Sequence, residues 1–125
     1  MTAMSEIVLS VGSNLNAGYV EKAIAWLESV LTECRASHIY TTPAVQGYGD
    51  PYTNAVVMAR SDMDCNELNR IIKEYELSCG RDDNARAKGI VPIDIDIVVA
   101  AGEVLRLRDF NQSFFRIGYQ NLLAR

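Results

Sequence analysis

The chain has 125 residues, 49% of them hydrophobic and 22% charged, a balance that fits one globular domain around one core and excludes a disordered chain. Its formal net charge of −4 leaves no global basic field for nucleic acid or anionic lipid, so a phosphate ligand would need a local patch or a bound cation. No segment approaches the roughly 20 apolar residues that span a bilayer, and Met1 to Glu6 has neither a basic start nor an apolar signal core. The expectation is a single cytoplasmic domain over residues 1–125 that works on small molecules, with no nucleic acid or membrane partner.

In chain order, Ile7 to Val11 is an apolar run ending in Gly12-Ser13-Asn14, which reads as a buried strand entering a turn. From Tyr19, the residues Val20, Ala23, Ile24, Leu27, Val30 and Leu31 recur at helical spacing, with Trp26 at the edge of the stripe. His38 to Thr42 is strand-prone and Pro43 ends it, followed by the loop Gln46 to Pro51. Tyr52 to Ala59 reads as strand, and Ser61 to Asp64 offers caps for a helix carrying Leu68, Ile71, Ile72, Tyr75 and Leu77. Gly80 is its expected C-terminal stop, and Arg81 to Gly89 reads as a polar surface loop. Pro92 to Ala100 is the last clear strand, Gly102 marks a turn, and Asp109 to Arg125 is expected to hold one or two helices.

The order β-α-β-β-α-β followed by a helical tail predicts an α+β fold. It is the ferredoxin-like antiparallel sheet with both helices on one face. No repeat or linker divides it. Cys34, Cys65 and Cys79 fall in or at the ends of apparent helices, where buried, reduced thiols are expected, and the single His38 in a strand-like run argues against zinc.

The sharpest chemical feature is Pro92-Ile93-Asp94-Ile95-Asp96-Ile97. Alternation along a strand sends the isoleucines one way and both aspartates the other, with the carboxylates roughly 6–7 Å apart at the backbone. Such a pair can converge on magnesium, or hold two ions about 4 Å apart. Taken alone it is equally compatible with a solvated outer face. Arg81, Arg86 and Lys88 precede the strand and can meet a polyphosphate, although a charged loop needs no ligand. The amides of Gly12 to Leu15 offer a cradle for an anion or heterocycle at a helix start, or simply a capped turn. Thr42-Pro43-Ala44-Val45 with Tyr52-Thr53-Asn54 supplies an aromatic face and an amide suited to a flat heterocycle.

Taken together and in this order, Gly12-Ser13-Asn14-Leu15, Tyr40-x-Thr42-Pro43, Tyr52-x-Asn54, Glu76 with Gly80-Arg81, and Gly89-x-x-x-Ile93-Asp94-Ile95-Asp96 resemble the 6-hydroxymethyl-7,8-dihydropterin pyrophosphokinase family, from about Ile7 to Leu105. The resemblance implies transfer of pyrophosphate from ATP to a pterin alcohol in folate biosynthesis. It implies two magnesium ions on Asp94 and Asp96, and a pterin pocket lined by Thr42, Pro43, Val45 and Asn54. Tyr52 would stack on one face of the pterin and Phe114 on the other, with Arg81, Lys88 and Glu76 on the nucleotide side.

The sequence also departs from that pattern. Val91 stands where the family places a phosphate-binding arginine, Asp83 falls at a site often filled by arginine, Lys88 replaces an aromatic, and Gln112 aligns with a further arginine of the family's tail. Two readings follow: a slow or divergent pyrophosphokinase, in which Arg106, Arg108 or Arg116 compensates, or a non-catalytic pterin- or nucleotide-binding paralogue. A third, an interaction domain with solvent-facing aspartates, predicts no magnesium-dependent binding.

Overall fold

The apolar run Ile7–Val11 is the middle of a nine-residue strand, β1 (Ser5–Ser13), in a computed structural model that describes residues 4–125. Of the start read as lacking a signal core, residues 1–3 lie outside the described residues. Seven consecutive residues of β1 are buried, as expected of a strand covered on both faces. It pairs antiparallel with β4 (Tyr52–Ser61) on one side and β5 (Asp94–Ala100) on the other.

Beyond β4 lie β2 (Thr32–Ala36) and β3 (Tyr40–Thr42), and beyond β5 lies β6 (Glu103–Val104), giving the order β2-β4-β1-β5-β6 with β3 also on β4. This is the ferredoxin-like arrangement the element order predicts.

Helix α1 (Ala17–Val30) buries Val20, Ala23 and Leu27, and helix α2 (Cys65–Ser78) buries Leu68 and Ile72. Both pack on one face of the sheet, against Leu9, Val11, Val57 and Ile95. Trp26 stacks on Tyr75 at 4.3 Å between ring centroids, tying the two helices at the edge of that core. Asp64 caps α2 by accepting from the Glu67 N–H at 2.8 Å. At the other end Gly80 adopts φ +98°, Arg81 N–H donates to Glu76 O and Gly80 N–H to Leu77 O, a Schellman closure.

The opposite face is covered by the tail. Short helix α4 (Leu107–Phe110) leads into α5 (Ser113–Leu123), whose Phe115 and Leu122 bury against Val8, Val56, Met58 and Val98. No helix among the described residues is long and apolar enough to cross a membrane.

The structure corrects four expectations. Cys34 lies in strand β2 rather than at a helix end, and Cys65 is exposed while Cys34 and Cys79 are only half-buried, so none of the three free thiols is a core residue. The strand expected at His38–Thr42 begins only at Tyr40, because Ser37 Oγ accepts from Val56 N–H and donates to His38 O, interrupting the ladder. The polar stretch after Arg81 contains a helical turn, α3 (Asp83–Ala87), because Asp82 accepts from Ala85 N–H at 2.8 Å as its cap. The turn at Gly102 closes a hairpin with β6 rather than ending the sheet at the strand before it.

Candidate functional site

Gly12 of β1 is paired with Asn54 on one side and Asp94 on the other, and Ser10 with Val56 and Asp96. These two rows share the sheet face carrying α5, whose Phe115 packs on Val56. The missing side chain of Gly12 leaves space between Asn54 and Asp94. A Cβ there would stand 3.2 Å from Asn54 Oδ1 and 3.6 Å from Tyr52 Cδ2.

That space belongs to a cavity of about 240 Å³ lined by Thr42, Pro43, Val45, Tyr52, Asn54 and Phe114, with Asp94, Ser10, Val11, Gly12 and Gln46. Six residues singled out from sequence as one pocket therefore do meet in one pocket. Pairing of Thr42 with Tyr52 and of Tyr40 with Asn54 sets two walls. The buried Asn54 amide donates to Thr42 Oγ1 at 2.8 Å and to Tyr52 O at 3.1 Å, holding them together. Phe114 enters from the first turn of α5. Ser10 and Gln46 were not anticipated. For Ser10 a signal existed, a polar residue two before Gly12 inside an otherwise apolar run, hence on the face of Gly12.

The isoleucines of β5 are buried and Asp94 and Asp96 point to the opposite face, as the alternation requires. Burial, reinforced by the neighbouring Asp94 carboxylate, pushes the Asp96 carboxyl up to about 7, while Arg106 pulls it down. Arg106 Nη1 lies 3.8 Å from Asp96 Oδ1, and its Nε is bound to Asp109. Arg81 Nη1 lies 2.7 Å from Asp94 Oδ1 and 3.1 Å from the Glu76 carboxylate. Tyr52 is pushed up by burial and then by Asp94, with Arg81 opposing.

A partly desolvated carboxylate pair on one face is a site where a cation relieves repulsion, and carboxylate oxygens are hard donors suited to magnesium. No group of three or more His, Cys, Asp or Glu residues among those described forms a closed cage. Two carboxylates suit an ion that keeps water and phosphate oxygens in its remaining positions.

Other residues named from sequence lie elsewhere. Glu76 is buried under β5, where its carboxylate accepts from Ile95 N–H at 2.7 Å, so its place is inside the fold. Lys88 is the exposed C-cap of α3 and does not line the cavity. Val91 donates its N–H to Asn14 Oδ1 at 2.7 Å, and Asn14 returns its own N–H to Val91 O at 3.1 Å. Of the two readings of Gly12–Leu15, an amide cradle or a capped turn, the hydrogen bonds follow the capped turn. The Asn14 amide is taken by Val91, and those of Leu15 and Asn16 by Ser13 Oγ. Of the tail arginines, Arg116 sits over the Phe110 ring at 5.5 Å, and Arg106 alone reaches the aspartates. Gln112 is the half-buried N-cap position of α5.

A family model described as 7,8-dihydro-6-hydroxymethylpterin-pyrophosphokinase matches residues 8–121. The folate synthesis bifunctional protein of Arabidopsis thaliana is 27% identical over 101 residues, which is 78% of this chain. The chain spans about a fifth (21%) of the length of that curated relative.

Proposed function

Because the chain belongs to the 7,8-dihydro-6-hydroxymethylpterin-pyrophosphokinase family, we propose that it transfers pyrophosphate from ATP to 6-hydroxymethyl-7,8-dihydropterin in folate biosynthesis. The observation that carries this reading is the convergence of Thr42, Pro43, Val45, Tyr52, Asn54 and Phe114 on one cavity with Asp94 at its wall. The Tyr52 and Phe114 rings offer apolar faces to a flat heterocycle, and the Asn54 amide and Thr42 hydroxyl offer polar edges.

In this reading Asp94 and Asp96 hold two magnesium ions, which supply positive charge to the nucleotide's phosphate oxygens. Arg81 and Arg106 flank the carboxylates, and each exchanges a carboxylate contact for a phosphate one when nucleotide binds. Arg106 takes the electrostatic part that Val91 cannot. The pterin hydroxyl attacks the β-phosphorus and AMP leaves. No cysteine or histidine lines the cavity, so the residues act by orienting the reactants and by stabilising charge.

The test is AMP release from ATP, magnesium and 6-hydroxymethyl-7,8-dihydropterin, beside an Asp96→Ala control. AMP that requires both the pterin and Asp96 supports the enzyme. Pterin binding without any AMP would favour the second reading, a binding paralogue, for which aliphatic Val91 clamped to Asn14 is the specific observation.

A further inference from the structure

Helix α5 crosses the sheet closer than a side chain at its middle would allow. A Cβ at Gly118 would stand 2.7 Å from both the Tyr40 hydroxyl and Val56 Cγ2, and 2.9 Å from Ser37 Oγ. That approach brings the helix backbone to Tyr40 on β3. The Tyr40 hydroxyl donates to the Phe114 carbonyl and accepts from the Gly118 N–H at 3.0 Å. These are the two groups, four residues apart, that a regular helix would join to each other. A side-chain hydroxyl set between such a pair is a recognised cause of local helix distortion. Here the hydroxyl sits at the turn that presents Phe114 to the cavity.

We propose that Tyr40 is a positioning residue for the cavity: its hydroxyl, held between Phe114 O and Gly118 N–H, sets where the Phe114 ring stands relative to Thr42 and Asn54. Tyr40 shares β3 with Thr42 and is paired with Asn54, so the same side chain belongs to one wall and grips the backbone of the other. Burial pushes the phenol up to about 12, so it remains a donor throughout the working pH range.

Other ties of α5 do not pass through Tyr40. His38 N–H donates to Asn121 Oδ1 at 3.2 Å, Arg125 donates to Ala36 O at 2.9 Å, and Phe115 and Leu122 are buried. Those contacts keep the helix docked without Tyr40. The hydroxyl therefore has a local task next to Phe114, not the global one of holding the helix.

The ligand used in the test rests on the pyrophosphokinase reading; the positioning does not. Tyr40→Phe keeps the ring and removes the hydroxyl from both Phe114 O and Gly118 N–H. We expect the NMR resonances of the Phe114 ring and the Gly118 amide to move in the ligand-free protein. Affinity for 6-hydroxymethylpterin should fall about three- to tenfold, the scale of one neutral hydrogen bond. In a Phe114→Ala background the same substitution should change pterin affinity by less than about twofold, since only coupled residues depart from additivity. Unmoved Phe114 resonances, or an equal loss of affinity in both backgrounds, would overturn the proposal. A wild-type protein that binds no pterin would sink the functional reading alone, because the ring resonances still decide the role of Tyr40.

Discussion

Arg81 and Asp94 meet at 2.7 Å, and the same guanidinium nitrogen lies 3.1 Å from Glu76, a carboxylate only 3% exposed. Arg81 thus links a buried anion inside the fold to a carboxylate at the cavity. Its residue position follows from the Schellman turn at Gly80, which directs the chain from α2 toward β5.

Arg81→Ala should destabilise the protein, because Glu76 keeps only Ile95 N–H and Lys73, the latter at 3.5 Å. Removing one member of a buried pair costs about 3–5 kcal/mol. Arg81 is partly exposed and Lys73 remains, so roughly 2 kcal/mol is expected here. Urea unfolding measures it, and a loss under about 0.5 kcal/mol would show that Lys73 and water suffice for Glu76.

The raised carboxyl of Asp96 has a pH signature in the metal-free protein. Folded Asp96 holds its proton up to about 7, whereas an unfolded aspartate releases it near 3.8. Between those values the folded state binds the extra proton, so this group's contribution to stability is present at the acid end and is lost as pH rises through the window. In EDTA the urea midpoint of the wild type should fall from pH 5 to pH 8 relative to Asp96→Asn. Magnesium should bind more weakly below pH 7, where it must displace that proton. Parallel profiles for the two proteins would show that Asp96 ionises normally.

The period-2 pattern of Ile93, Ile95 and Ile97 against Asp94 and Asp96 was readable because alternation alone assigns the two faces. The cavity residues were readable through a resemblance of ordered short motifs, while no single motif implied that they meet. Strand β2 was not readable: it is an exposed edge with no apolar alternation, and Glu33 at φ +53° accompanies its bulge. Arg106 was named as one of three candidates, and only the hairpin through Ala101 and Gly102, both at positive φ, places it by Asp96. At Gly12–Leu15 a cradle and a capped turn were both open in the sequence, because a serine inside the turn can take the same N–H groups as an anion.

Arg106 offers the cleanest separation of catalysis from stability. Its side chain is half exposed, so Arg106→Ala should leave the unfolding midpoint nearly unchanged. If it meets phosphate as charge develops, its loss should lower kcat by about 10²–10³ with a smaller effect on pterin KM. Exposed Arg108 is the control, and Arg108→Ala should fall within a factor of about two. Equal small effects from both substitutions would remove Arg106 from the nucleotide side and leave Arg81 as the cation flanking the aspartates.

Gly12 gives a steric test of the cavity, since a methyl group there adds bulk and no polar atom. Its backbone is unstrained, so the turn does not require glycine; the demand comes from the neighbours. A methyl group 3.2 Å from Asn54 Oδ1 is too close by a few tenths of an ångström, whereas its 3.8 Å approach to Thr53 O is ordinary contact. The Asn54 amide therefore turns and strains its bonds to Thr42 Oγ1 and Tyr52 O. Gly12→Ala should therefore fold, with a loss of about 1 kcal/mol, since small overpacking changes cost 1–3 kcal/mol and one side of the contact is open to the cavity. Pterin affinity should drop more than tenfold, because both the cavity volume and the Asn54 edge are altered together. Calorimetry with 6-hydroxymethylpterin checks it. Undiminished binding in a folded Gly12→Ala protein would mean that the ligand does not reach the floor between Asn54 and Asp94, and would move the pterin toward Pro43 and Val45.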